Sequence, residues 1–167
     1  EFATSFWAAA LLKERVGSTA AISTVAIVAL GTGMGIGRWY GGLVLKNLKL
    51  DTQLLSVIAM QFLGFLGFWL SHNMFISLLC LFAVGLGISM QFALSSIRLI
   101  GLSDGRPDLA IGRASLAAGT AIAGAPFLLG ILGDKFGISR GYIMVFVLIA
   151  IAFVIVKTIP SKVHEAA

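Results

Sequence analysis

Gln91, Ser95 and Arg98 have the spacing with the most chemical content in this chain. Four and three residues apart, they share one face of a helix. A row of amide, hydroxyl and guanidinium can contact a polar solute or pair with the charges of a gate. It can equally be the polar end of a helix, paired with neighbouring carbonyls. Glu1 is a second candidate: buried, its carboxylate would take a proton or a cationic substrate, and at a surface it would do neither. Trp7, beside Phe6, offers an apolar wall for a hydrophobic substrate or plain packing area. Gln61 stands alone in an apolar run, which suits a hydrogen bond between two helices.

Other chemistries lack their residues. The stretch GTGMGIGRWYGG, residues 31–42, holds six glycines. A dinucleotide loop needs G-x-G-x-x-G between a strand and a helix, and a P-loop needs Gly-Lys-Ser/Thr; neither pattern is present. Gly33, Gly37 and Gly41 recur every four residues, as do Gly31 and Gly35, giving overlapping G-x-x-x-G rows that let helix backbones approach closely in lipid. Arg38, next to Trp39 and Tyr40, either snorkels to headgroups or latches a helix C-terminus or carboxylate. Cys80 is the sole cysteine and reads as a packing residue. The two histidines, His72 and His164, have no nucleophile or metal-ligand spacing beside them. No metal, cofactor or enzymatic activity is expected.

The elements that must position these residues follow from composition. Hydrophobic residues make up 59% of the 167 and charged residues 11%, against about 25% charged in a soluble domain. That leaves too little polar surface for water and suits hydrocarbon. Apolar runs of spanning length lie at residues 17–43, 54–70, 74–97, 111–132 and 142–156, and residues 2–12 read as the second half of a sixth helix. Short polar connections join them into one all-α, polytopic transmembrane bundle. Eight Lys and Arg fall on one side and four on the other, which predicts a cytoplasmic C-terminus. A net charge of +5, scattered between apolar runs, suits membrane interfaces and not nucleic acid. The opening Glu1-Phe2, inside an apolar segment, suggests a fragment of a longer protein. Gly119, Gly124 and Pro126 mark a flexing point in the 111–132 helix.

An internal echo links residues 42–48, GLVLKNL, with 130–136, GILGDKF, three helices apart. An odd number of crossings puts the copies on opposite faces, as in inverted three-helix repeats. Together GMGIGRWYGG, AGAPFLLGILGDKFG from Ala123 and FATSFWAAALL from Phe2 resemble helices eight, eleven and seven of the major facilitator superfamily. The resemblance covers essentially the whole chain, as a C-terminal six-helix half with helix seven truncated. It implies alternating access about a midplane site, with the N-terminal half of the same transporter as partner. A drug, sugar or organic metabolite would be exported, with protons as the expected coupling ion. It also implies that helices seven, eight, ten and eleven line the cavity while nine and twelve face outward. The family's cytoplasmic loop acid is expected near Lys46, where there is none; the Gly-Asp pattern falls instead at Gly133-Asp134, on the other side. Arg38, Arg98, Gly124, Pro126, Gly130 and Asp134 are the expected gating and packing positions. A structural membrane scaffold is the alternative reading.

Overall fold

Runs of apolar residues a bilayer's thickness long have one way to satisfy their backbone without water, which is to bond within the segment as helices. The computed structural model describes residues 2–17 and 20–161, and these form helices joined by short turns, with no strand among them. Glu1, Lys162 and His164 lie outside the described residues. In chain order the helices are α1 (Phe2–Val16), α2 (Ala20–Leu45), α3 (Leu50–Leu70), α4 (Met74–Ile88), α5 (Gln91–Gly101), α6 (Pro107–Phe136), α7 (Ile138–Gly141) and α8 (Ile143–Thr158). Among the described residues, four stretches are long and apolar enough to cross a membrane: Leu50–Leu70, Met74–Gly101, Pro107–Phe136 and Ile138–Thr158. At 1.5 Å per residue α3 is about 31 Å long, close to the hydrocarbon thickness. The first expected span is the continuous 26-residue α2.

Local signals set the boundaries. Asn73 caps α4, its Oδ1 accepting from the amides of Phe75 (2.9 Å) and Ile76 (3.3 Å). Pro107 opens α6, where a missing N–H costs nothing. Asp104 (φ 48°) and Gly105 (φ 83°) turn the chain just before it. Gly137 (φ 86°) separates α6 from α7 in a conformation that favours glycine.

The expected 74–97 helix is interrupted. It stops at Ile88 and resumes at Gln91, so α4 and α5 form one broken span. Ser89 sits in the break and its hydroxyl donates back to the Leu86 carbonyl at 2.6 Å, a local bond that competes with the helix ladder.

α4 packs between α2 on one side and α3 on the other. Glycines make both contacts. A Cβ on Gly33 would run into the Phe82 carbonyl oxygen, and one on Gly85 into that of Leu30. Gly37 abuts Ser89, and Gly41 abuts the Met90 sulfur. On the opposite face, a Cβ on Gly87 would lie 2.6 Å from the Gln61 amide nitrogen, and one on Gly64 2.9 Å from that of Val84. The 33/37/41 row is therefore the packed one. A Cβ on Gly31 or Gly35 would meet nothing within 4 Å, so the second G-x-x-x-G pair packs against no neighbour among the described residues.

α3 joins α8 through aromatic rings. Phe65 meets Phe146 edge-on with centroids 4.8 Å apart and Tyr142 at 5.4 Å, while Phe62 and Trp69 each reach Phe146 at 5.7 Å. α6 is the exception to this close packing. Leu129 is its one buried residue, and Leu116 and Phe127 are 75% and 69% exposed.

Candidate functional site

The row predicted from spacing assembles. Gln91, Ser95 and Arg98 line one cleft of about 340 Å³ with Leu54 and Ile58 of α3 and Ala152, Ile155 and Val156 of α8. The cleft lies between α3, α5 and α8. α3 and α8 are the ninth and twelfth helices in the resemblance, which was expected to leave them outside the cavity. In this bundle they form the wall that the polar row faces. The break at Ser89–Met90 starts α5 as a fresh helix whose first residue, Gln91, turns to α3.

At the inner end of the row Gln91 Nε2 donates to Gln61 Oε1 at 2.6 Å. Gln61 is 5% exposed, and its bond to another helix is the role its position predicted. At the other end Arg98, 8% exposed, is held by α3 and α8. Its Nε donates to Asp51 Oδ1 at 2.9 Å, and its Nη2 donates to the Val156 carbonyl at 3.3 Å. Asp51 Oδ2 accepts from the Ser161 amide at 2.7 Å. A buried guanidinium and a carboxylate thus tie the start of α3, the last turns of α5 and the end of α8. Charge-assisted bonds of this kind are the short, strong ones.

Asp51 was missed by sequence reasoning. The loop after GRWYGG has no acid near Lys46, but it has one five residues later, in the first turn of α3. The signal available was that an acid at a helix N-terminus is favoured and faces the same side as Arg98. Arg38 is exposed and makes no hydrogen bond or ion pair with the described residues; the pairing of a guanidinium with a carboxylate on another helix is made by Arg98.

Compared with known families, curated proteins and solved structures, the chain matches none.

Three residues singled out separately form one contact. The Trp7 indole Nε1–H donates to the Pro126 carbonyl at 3.1 Å, and its ring lies 3.1 Å from where a Cβ on Gly130 would be. Gly130 leaves room for the ring, and the carbonyl in the proline turn gives it an acceptor. Trp7 thus fastens α1 to α6. α6 runs unbroken through Pro126 from Pro107 to Phe136. Gly119 and Gly124 face open space. Asp134 is exposed near the end of α6. The two glycines heading the echoed stretches differ in surroundings: Gly42 has nothing within 4 Å, whereas Gly130 holds the indole.

The opposite end of the bundle has its own polar cluster. Arg15 Nη2 donates to Ser139 Oγ at 2.8 Å and Nη1 to His72 Nε2 at 3.4 Å. Its guanidinium lies 5.1 Å from the Trp69 ring centroid, a cation–π contact. Trp69 Nε1 donates to the Ser139 carbonyl at 2.8 Å. Asp51 and Trp69 are 18 residues apart on α3, about 27 Å along the axis. The two clusters therefore mark the two ends of the bundle.

Proposed function

We propose that the chain is the C-terminal half of a secondary transporter of the major facilitator type, moving a small solute by alternating access. The observation that carries the proposal is the polar row Gln91–Ser95–Arg98 in a cleft inside apolar helices. Ionisable and amide groups at membrane depth are expensive, and they are retained where solutes or protons pass. Arg98, Asp51 and the Ser161 amide act as a gate latch at one end of that row. The uncovered face of α6, with Leu116 and Phe127 exposed, receives the N-terminal half. The inverted three-helix repeat relates α1–α3 to the helices from α4 onward. Proton-coupled efflux across the plasma or inner membrane, with the C-terminus in the cytoplasm, is the assigned direction and place.

The full-length protein reconstituted into vesicles tests this. A pH gradient should drive saturable flux of at least one labelled compound among a hexose, an organic acid and a lipophilic cation, and Asp51→Asn should change its rate. Folded protein that supports neither gradient-driven flux nor exchange of any of the three would overturn the proposal in favour of a scaffold.

A further inference from the structure

The last turns of α2 and the first three turns of α3 flank an open groove of about 310 Å³, floored by Leu86, Ser89 and Met90 of the broken span. It follows α2 from Ile36 to Leu45, ten residues or about 15 Å. A hydrocarbon core about 30 Å thick gives each leaflet about the same 15 Å. At one end of the groove the chain turns back. α2 stops at Leu45 and α3 begins at Leu50, and the turn between them carries Lys46 and Lys49. Both lysines are exposed, and neither is in an ion pair among the described residues. Ser56 and Met60 of the α3 wall come seven and eleven residues after Lys49. Those offsets are close to two and three helical turns, so Lys49 stands at the foot of that wall. Asp51 is turned the other way and is bound by Arg98 and the Ser161 amide. The groove is thus apolar along its length and basic at its end.

We propose that this groove seats one acyl chain of an anionic phospholipid, with the phosphate held at Lys46 and Lys49. The chain follows from size and lining. The groove has twice the roughly 150 Å³ that takes one benzene, and it is as long as one leaflet is deep. The headgroup follows from charge. Basic side chains at a membrane surface attract anionic lipid, so a neutral lipid would gain only the apolar contact. A soluble anion would gain only the lysines and leave the groove unfilled. Tyr40 lines the α2 wall and is 56% exposed, an aromatic ring of the kind that sits at a membrane interface. The proposal rests on membrane insertion of the chain and not on transport, and its test reads no flux.

Native mass spectrometry of the full-length protein tests the site. The protein is released from nanodiscs of equal phosphatidylglycerol and phosphatidylcholine with matched chains, and the lipids that stay bound are counted. Phosphatidylglycerol should be retained at least fivefold over phosphatidylcholine. Lys46→Gln combined with Lys49→Gln should lower that preference at least threefold. Lys13→Gln combined with Lys135→Gln removes the same charge at the opposite end and should leave it unchanged. Ser56→Phe fills the groove without touching a charge and should cut the retained phosphatidylglycerol at least fivefold. Val44→Trp, at a position 74% exposed, narrows the groove from α2 and serves where the phenylalanine variant does not fold. Equal retention of the two lipids would overturn the proposal. So would an equal loss in the Lys13 and Lys135 variant, which would mean attraction to overall charge. Retention indifferent to both groove variants would overturn it too, since the turn would then hold the headgroup without a seated chain.

Discussion

Arg98 shows how one side chain is worth different amounts depending on what remains after its partner is removed. Its side chain is 10% exposed, whereas that of Asp51 is 26% exposed. Removing Asp51 strands a buried guanidinium with one carbonyl for company. Removing Arg98 leaves a carboxylate that is partly solvated and still bonded to the Ser161 amide. Breaking a buried pair from one side costs about 3–5 kcal/mol when the residual charge stays buried. We therefore expect Asp51→Ala to lower thermal stability in detergent by about 3 kcal/mol, and Arg98→Met, which keeps an apolar stem, to lower it clearly less. The double variant should recover part of the Asp51→Ala loss. Equal losses for the two single variants in a thermal melt would show that Arg98 is solvated and the pair is an ordinary surface contact. Spacing alone placed Arg98 on the same face as Gln91 and Ser95. It could not choose a partner for it, because Asp51 lies 47 residues away and meets it only through the packing of α3 on α5.

Between elements, glycine position decides whether a substitution is harmless. Gly31, Gly33, Gly35 and Gly37 alternate along α2, yet the first and third face open space while the second and fourth meet α4. Adding a methyl at Gly33 or Gly85 forces two backbones apart, and overpacking of a tight contact costs about 1–3 kcal/mol. At Gly31 or Gly35 the same methyl meets nothing and removes a residue that disfavours helix by about 1 kcal/mol. Gly33→Ala and Gly85→Ala should thus lower the melting temperature and the yield of monodisperse protein, with Gly31→Ala and Gly35→Ala level or slightly higher. A uniform response across the four would contradict the contact between α2 and α4. Four-residue spacing made both rows legible as packing surfaces. Which row is used was not legible, since both have the same period and differ only in the neighbour they face. Gly85 and Gly87, two residues apart in α4, serve opposite neighbours and form no G-x-x-x-G pattern with each other, which is why pattern reading passed over them.

For the whole molecule, the two polar clusters give the bundle two distinct ends. Arg15, His72 and Ser139 come together at one, and Asp51, Arg98 and Ser161 at the other. These are the loops that strict alternation of spans puts on opposite sides. The excess of Lys and Arg lies with the Arg98 end, so that end should face the cytoplasm. A fluorescent protein that folds only in the cytoplasm should glow when fused after Ala167, and a cysteine at Asn73 should react with an impermeant maleimide from outside the cell. Labelling at Asn73 only after the cells are opened would reverse the orientation.

Composition and the length of the apolar runs were enough to determine an all-helical chain with membrane-length segments, because a backbone in hydrocarbon has to bond within its own segment. Helix periodicity was enough to put Gln91, Ser95 and Arg98 on one face. The tertiary structure alone decided what that face meets. α8, distant in sequence, closes the cleft, and α3 supplies Gln61 and Asp51. Trp7 found Pro126 and Gly130 across 119 residues and more. Arg38, beside six glycines and two aromatics, had the stronger local signature and remains at the surface. A local pattern records what a residue can do, and long-range packing determines which partner is within 3 Å of it.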